Sequence, residues 1–173
     1  FVIDNLIINT TGNNPIGGIY SQGDYVNFTG NNITNSTSNG LHLRQGQNNI
    51  IATTFIAQTA INDTLLEITS TNNSFLNMTF NKSKIKVTSG SMVVQWYLTL
   101  NITNFSGGQI PVASVNASNN TYPTPYMFST NANSNGVLLN QIITEYSING
   151  SHGYDQICLN QNTVYCYNPH TFL

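Results

Sequence analysis

A chain of 173 residues with 39% hydrophobic and 10% aromatic content holds enough apolar surface for one folded domain of ordinary size, which excludes a disordered polar tail. It carries only four Lys or Arg and six Asp or Glu, 6% of residues against about 25% in ordinary soluble domains. The net charge of −2 leaves no basic footprint for nucleic acid or anionic lipid, and no apolar run reaches the roughly 18 residues of a membrane span.

The first element is Phe1-Val-Ile-Asp-Asn-Leu-Ile-Ile8, apolar at six of its eight positions and followed by a soft spacer to Pro15. Two readings stand: an ordinary first strand, or a donor strand that fills a gap in the sheet of a neighbouring subunit. The donor strand would use Phe1, Val2, Ile3, Leu6, Ile7 and Ile8. Strict alternation would bury the Asp4 carboxyl group, so a bulge at Asp4-Asn5 is expected. It turns Phe1, Ile3, Leu6 and Ile8 inward and leaves Val2, Ile7 and Asn9 outward. Residues 1–15 then form donor strand and spacer, and residues 16–173 a single β-domain.

Short strands are expected at 25–29, 49–57 and 64–69. Residues 75–80 and 84–87 flank the turn signal Asn81-Lys82-Ser83 and read as a hairpin, with Lys82, Lys84 and Lys86 on alternate exposed positions. The clearest strand is 92–103, where Met92, Val94, Trp96, Leu98, Leu100 and Ile102 alternate with more polar residues. Further strands are expected at 110–115, 136–148 and 154–167. The last folds as a hairpin that brings Cys158 and Cys166 together as a disulfide. Clusters of Ser, Thr, Asn and Gly punctuate these runs about every ten residues, the pattern of an immunoglobulin-like β-sandwich. No 20–50-residue repeat stands out.

Thirteen Asn-x-Ser/Thr triplets begin at Asn9, Asn27, Asn32, Asn35, Asn62, Asn72, Asn77, Asn81, Asn101, Asn104, Asn116, Asn119 and Asn149. With 29 Asn and 36 Ser or Thr, random placement gives about six, so the excess points to N-linked glycans, with plain Asn enrichment as the alternative. Amides and hydroxyls do not titrate, so a surface built on them keeps its hydration in acid. Glycosylation implies export, and the start at Phe1 is read as the product of signal-peptide removal, which places the chain outside the cell. Three His and six carboxylates make no catalytic centre: His152 and Asp155 lack further metal ligands, His42 and His170 stand apart, and Asp63 and Glu67 share a face only on a regular strand. No metal, and no cofactor besides covalent glycans, is expected.

The apolar tail of residues 1–8, the glycan-studded β-domain and the near absence of charge together resemble the thread pilins of thermoacidophilic archaea. That resemblance implies an immunoglobulin-like pilin domain, N-linked glycans and a homopolymer of adjacent identical subunits. The filament would be extracellular, joined head-to-tail by donor-strand complementation and serving adhesion or biofilm. A type IV pilin is excluded by Asp4, Asn5 and Asn9, which interrupt the apolar helix such filaments need. The alternative is a secreted glycan-binding adhesin or viral coat β-domain without strand donation.

Overall fold

The computed structural model describes residues 1–11, 17–119, 128–150, 164–166 and 170–172. Two compact units divide the chain: residues 1–94 with 146–166, and residues 95–145 with 167–173.

The first unit is a β-solenoid of about four turns. Turn one is β1 (Val2–Ile3), β2 (Leu6–Ile8) and β3 (Ile19–Ser21). Turn two is β4 (Asn27–Thr29), β5 (Asn32–Thr34) and β6 (Leu41–Arg44). Turn three is β7 (Ile50–Ala52), β8 (Phe55–Ala57) and β9 (Thr64–Glu67). Turn four is β10 (Ser70–Leu76), a bridge from Thr79 to Phe55, a 3-10 helix at Lys82–Lys84, and β11 (Ile85–Val87). Like strands of successive turns pair in parallel, making three walls.

Register stacks chemically similar residues. Val2 pairs with Phe28, Phe28 with Ile51 and Ile51 with Phe75, steps of 26, 23 and 24 residues. Ile7, Ile33 and Ile56 make a second apolar column. Ile19 and Leu41 begin a third that runs through Thr64 to Ile85. Most of these side chains are fully buried, and at about 1.5–3 kcal/mol each they supply the main driving force.

A solenoid must turn a corner between walls, and left-handed backbone supplies the bend. After the first wall the corner residues are Asp4, Gly30, Thr53 and Asn77, with φ of 53°, 67°, 46° and 52°. After the second they are Asn9, Asn35 and Gln58, at 54°, 56° and 56°. Tyr25, Asn48 and Asn72 form a third column at 55°, 55° and 57°. Asn is the residue besides Gly that tolerates this region best, which accounts for part of the Asn excess.

Inside the corners amides stack. Asn5 Nδ2 donates to Asn31 Oδ1 at 3.0 Å, and Asn49 Nδ2 to Asn73 Oδ1 at 3.0 Å. Asn62 Nδ2 donates to Asn39 Oδ1 at 2.5 Å. Such ladders satisfy polar groups that a corner would otherwise bury unpaired.

In the second unit β13 (Ser114–Asn119) lies antiparallel between β14 (Phe128–Asn131) and β17 (His170–Phe172). β12 (Gly90–Asn101) contributes residues to both units, as does β15 (Val137–Asn149), which pairs antiparallel with β16 (Val164–Cys166).

The all-β expectation survives, but the immunoglobulin-like sandwich with an N-terminal donor strand does not. Parallel walls at a 21–26-residue spacing replace antiparallel layers, so the chain does repeat. The expected donor strand is the first turn of its own solenoid: β1 pairs with β4 and β2 with β5. Its facing is also reversed. Val2 and Ile7 pack on the core, while Phe1, Ile3, Leu6 and Ile8 are exposed. Asp4 is a corner and not a bulge, because its backbone bends to follow Gly30 and Thr53. The 75–87 hairpin is likewise absent. β10 ends at the Asn77 corner, and β11 pairs in parallel with β9 instead of folding back. The expected 49–57 strand is cut by the Thr53 corner into β7 and β8. Cys158 lies outside the described residues, and so does the 154–167 hairpin apart from β16, which contains Cys166.

Candidate functional site

The acceptor Asn side chains distribute over the solenoid by position in the turn. Asn9, Asn35, Asn72 and Asn77 sit on corner columns and are exposed, because a left-handed corner projects its side chain away from the walls. Asn32 and Asn81 are exposed as well, and Asn27 is half-buried on β4. In the second unit Asn101 and Asn104 are exposed and Asn116 is half-buried. For Asn119 and Asn149 only the strands, β13 and β15, are described.

Two triplets hold the acceptor amide in a fixed pose through their own third residue. Thr29 Oγ1 donates to Asn27 Oδ1 at 2.6 Å, and Ser83 Oγ donates to Asn81 Oδ1 at 2.7 Å. In both the carbonyl oxygen is engaged, and Nδ2 is the atom left for a sugar. Asn104 achieves the same with backbone donors, its Oδ1 accepting from Ser106 and Gly108 at 3.0 and 2.8 Å.

Asn62 differs from all of these. It is 3% exposed, and its Nδ2 is committed to Asn39 inside the corner between the second and third walls. A glycan needs that nitrogen and open space beyond it. The triplet at Asn62 is a ladder residue that happens to precede Asp63-Thr64.

Beside Asn81 the solenoid departs from its pattern. The step from corner to wall is six residues in turns two and three, from Asn35 to Leu41 and from Gln58 to Thr64, but only three from Lys82, the corner position of turn four, to Ile85. Because Thr79 bridges Phe55, Asn81 lies level with Ala57 and keeps the extended backbone of the wall, at φ −81° and ψ 111°. The corner position level with Gln58 is Lys82, where a 3-10 helix capped by Asn81 begins instead. Asp63 fixes this early turn: its Oδ2 accepts from Asn81 N at 2.7 Å and its Oδ1 from Thr59 Oγ1 at 2.5 Å. Lys84 Nζ donates to the Thr59 carbonyl at 2.5 Å. The shortened turn leaves a cleft of about 300 Å³ lined by Phe55, Gln58, Thr79, Phe80, Asn81 and Lys84, among others.

Among the described residues, Asp63 and Glu67 do not come together. Asp63 is buried at the corner and Glu67 lies at the end of β9, each with different partners. Parallel register instead brings His42 to Glu67, Nε2 to Oε2 at 3.0 Å, with Tyr20 edge-on against the imidazole at 5.0 Å. No short motif in the sequence joins them, since 25 positions separate the pair. The imidazole has no exposed surface, so the pair ties turn two to turn three and offers no substrate access. Lys82 lies 5.8 Å from the Tyr146 ring centroid, and Lys86 is exposed. Among the described residues no group of three or more His, Cys, Asp or Glu converges as a metal site. His152 and Asp155 lie outside the described residues, and only the backbone strand holding His170 is described.

No protein-family model matches the chain, and no curated protein or solved structure is significantly similar to it.

Proposed function

We propose that this chain is a structural subunit of an extracellular, sugar-coated assembly. The observation that carries this reading is the segregation of acceptor Asn. Eight of them project from corners, loops or strand faces, while the interior amides are taken up in ladders. A wall of stacked parallel strands is stiff, and a coat of neutral sugar on a nearly uncharged surface suits exposure and display more than turnover of a substrate. Donor-strand exchange is no part of this reading, because the expected donor already completes its own first turn.

Subunits meet most readily at that first turn. Among the described residues β1, β2 and β3 each end their sheets, so one side of each strand has no partner there. Edges of this kind are usually blunted by Lys, Arg or Pro, and these three strands carry none. Phe1 is 91% exposed and Leu6 67% exposed beside them. Imaging of material purified from its natural source tests the reading. Regular rods or lattices that carry sugar support it, and discrete unglycosylated monomers contradict it.

A further inference from the structure

We propose that the cleft beside Asn81 seats the first sugar of the glycan on Asn81, so that this one glycan is packed against the protein while those at the corners stand free. The inference rests on the sugar-coat reading and adds a ligand of definite chemistry, an N-acetylated hexose, at a definite place.

Four features converge there. The acceptor is held from two sides: Asn81 N donates to Asp63 Oδ2, and Asn81 Oδ1 accepts from both Ser83 N at 3.0 Å and Ser83 Oγ at 2.7 Å. The amide is therefore fixed before any sugar arrives, and Nδ2 is its remaining polar atom. The cleft itself is concave, and its volume of about 300 Å³ falls at the small end of the range for ligand sites, room for one or two sugar rings.

Two aromatic rings line it, Phe80 directly before the acceptor and Phe55 on the preceding turn, 41% exposed with no polar tip of its own. A pyranose presents axial C–H groups on one face and, if N-acetylated, a methyl group. Both pack on an aromatic face and shield it from water. Polar groups ring the same space. Lys84 has used one donor on the Thr59 carbonyl and has two left, and the Gln58 amide and Thr79 hydroxyl are exposed at the margin. Sugar hydroxyls and the acetamide oxygen are the acceptors they would meet. The corner acceptors Asn9, Asn35, Asn72 and Asn77 are not among the residues that line this cleft.

The full chain, expressed in a host that modifies Asn-x-Ser/Thr and trimmed enzymatically to one N-acetylglucosamine per site, provides the test. Peptide mass mapping reads occupancy, and proton NMR of isotope-labelled sugar reads environment. The expected result is an occupied Asn81 whose acetyl methyl resonance is displaced upfield, with cross-relaxation to the Phe55 or Phe80 ring in the unmutated protein. The other acetyl methyls should coincide near the position of the free sugar. Phe55→Ala should return the displaced signal to that position and Phe55→Tyr should keep it. Asn81→Gln should delete it and no other. An occupied Asn81 whose methyl resonates with the rest overturns the inference but leaves the coat intact. So does an empty Asn81 among occupied corner sites. If no site is modified, the coat itself fails and this inference with it.

Discussion

Replacing Asn49 tests whether the amide ladder holds the solenoid together. Asn49 is fully buried. Its Oδ1 accepts from Val26 N at 2.8 Å, one turn back, and its Nδ2 donates to Asn73 Oδ1 at 3.0 Å, one turn on. Asn49→Ala strips the acceptor from a half-buried backbone N–H, at about 1–3 kcal/mol, and removes an amide–amide bond with a net value of about 1 kcal/mol. A loss of about 2–4 kcal/mol is expected, read from the urea midpoint at unchanged slope. Asn49→Asp supplies a control with a sign. The carboxyl can still accept from Val26, but when ionised it faces the Asn73 oxygen, and only its protonated form can donate there. Burial raises the pKa of such an acid, so its penalty grows as pH rises through that folded-state value. Asn49→Asp should therefore lose more stability relative to wild type at neutral pH than in acid. A loss below about 0.5 kcal/mol for Asn49→Ala, within the range of ordinary surface substitutions, would refute the ladder argument. So would equal losses for Asn49→Asp at both pH values.

Other substitutions separate the solenoid from a sandwich built on the same strands. Phe28→Ala, at a fully buried position between Val2 and Ile51, should cost about 3–5 kcal/mol in thermal or urea melts, whereas Phe1→Ala, at an exposed position, should change stability little. Gly90 adopts φ 125°, and a Cβ there would stand 2.1 Å from the Ser70 carbonyl oxygen. Gly90→Ala should therefore melt well below wild type or fail to fold, because backbone must move to admit it.

What the sequence made legible was local. The alternation in 92–103 became β12, because period two is a property of any half-buried strand, while the run at 64–69 became the shorter β9, which ends where Ile68 and Thr69 turn left-handed. Layering was not legible for the same reason: three-residue strands read alike in a sandwich and in a solenoid. The repeat was masked by uneven turns and by columns whose members share a role and not an identity. Val2, Phe28, Ile51 and Phe75 are four sizes of apolar side chain, and Asp4, Gly30, Thr53 and Asn77 share only a backbone conformation. The usable signal was the spacing of Asn5 to Asn31, Asn39 to Asn62 and Asn49 to Asn73, each 23–26 residues. Comparing the chain with itself at that offset would have found it. The acceptor triplets were legible as a list, but which of them face outward depends on the corners. Asn62 and Asn35 look equivalent in sequence, and only the fold buries one and exposes the other. The His42–Glu67 pair was hidden because parallel stacking, and no short-range motif, brings it together.

Site-by-site glycan occupancy of the natural protein, read by peptide mass mapping, tests the central claim most directly. The account predicts sugar on the corner acceptors Asn9, Asn35, Asn72 and Asn77 and none on Asn62, whose nitrogen is locked to Asn39. A modified Asn62 in folded protein, or an intact mass at the bare 19.0 kDa, would contradict it.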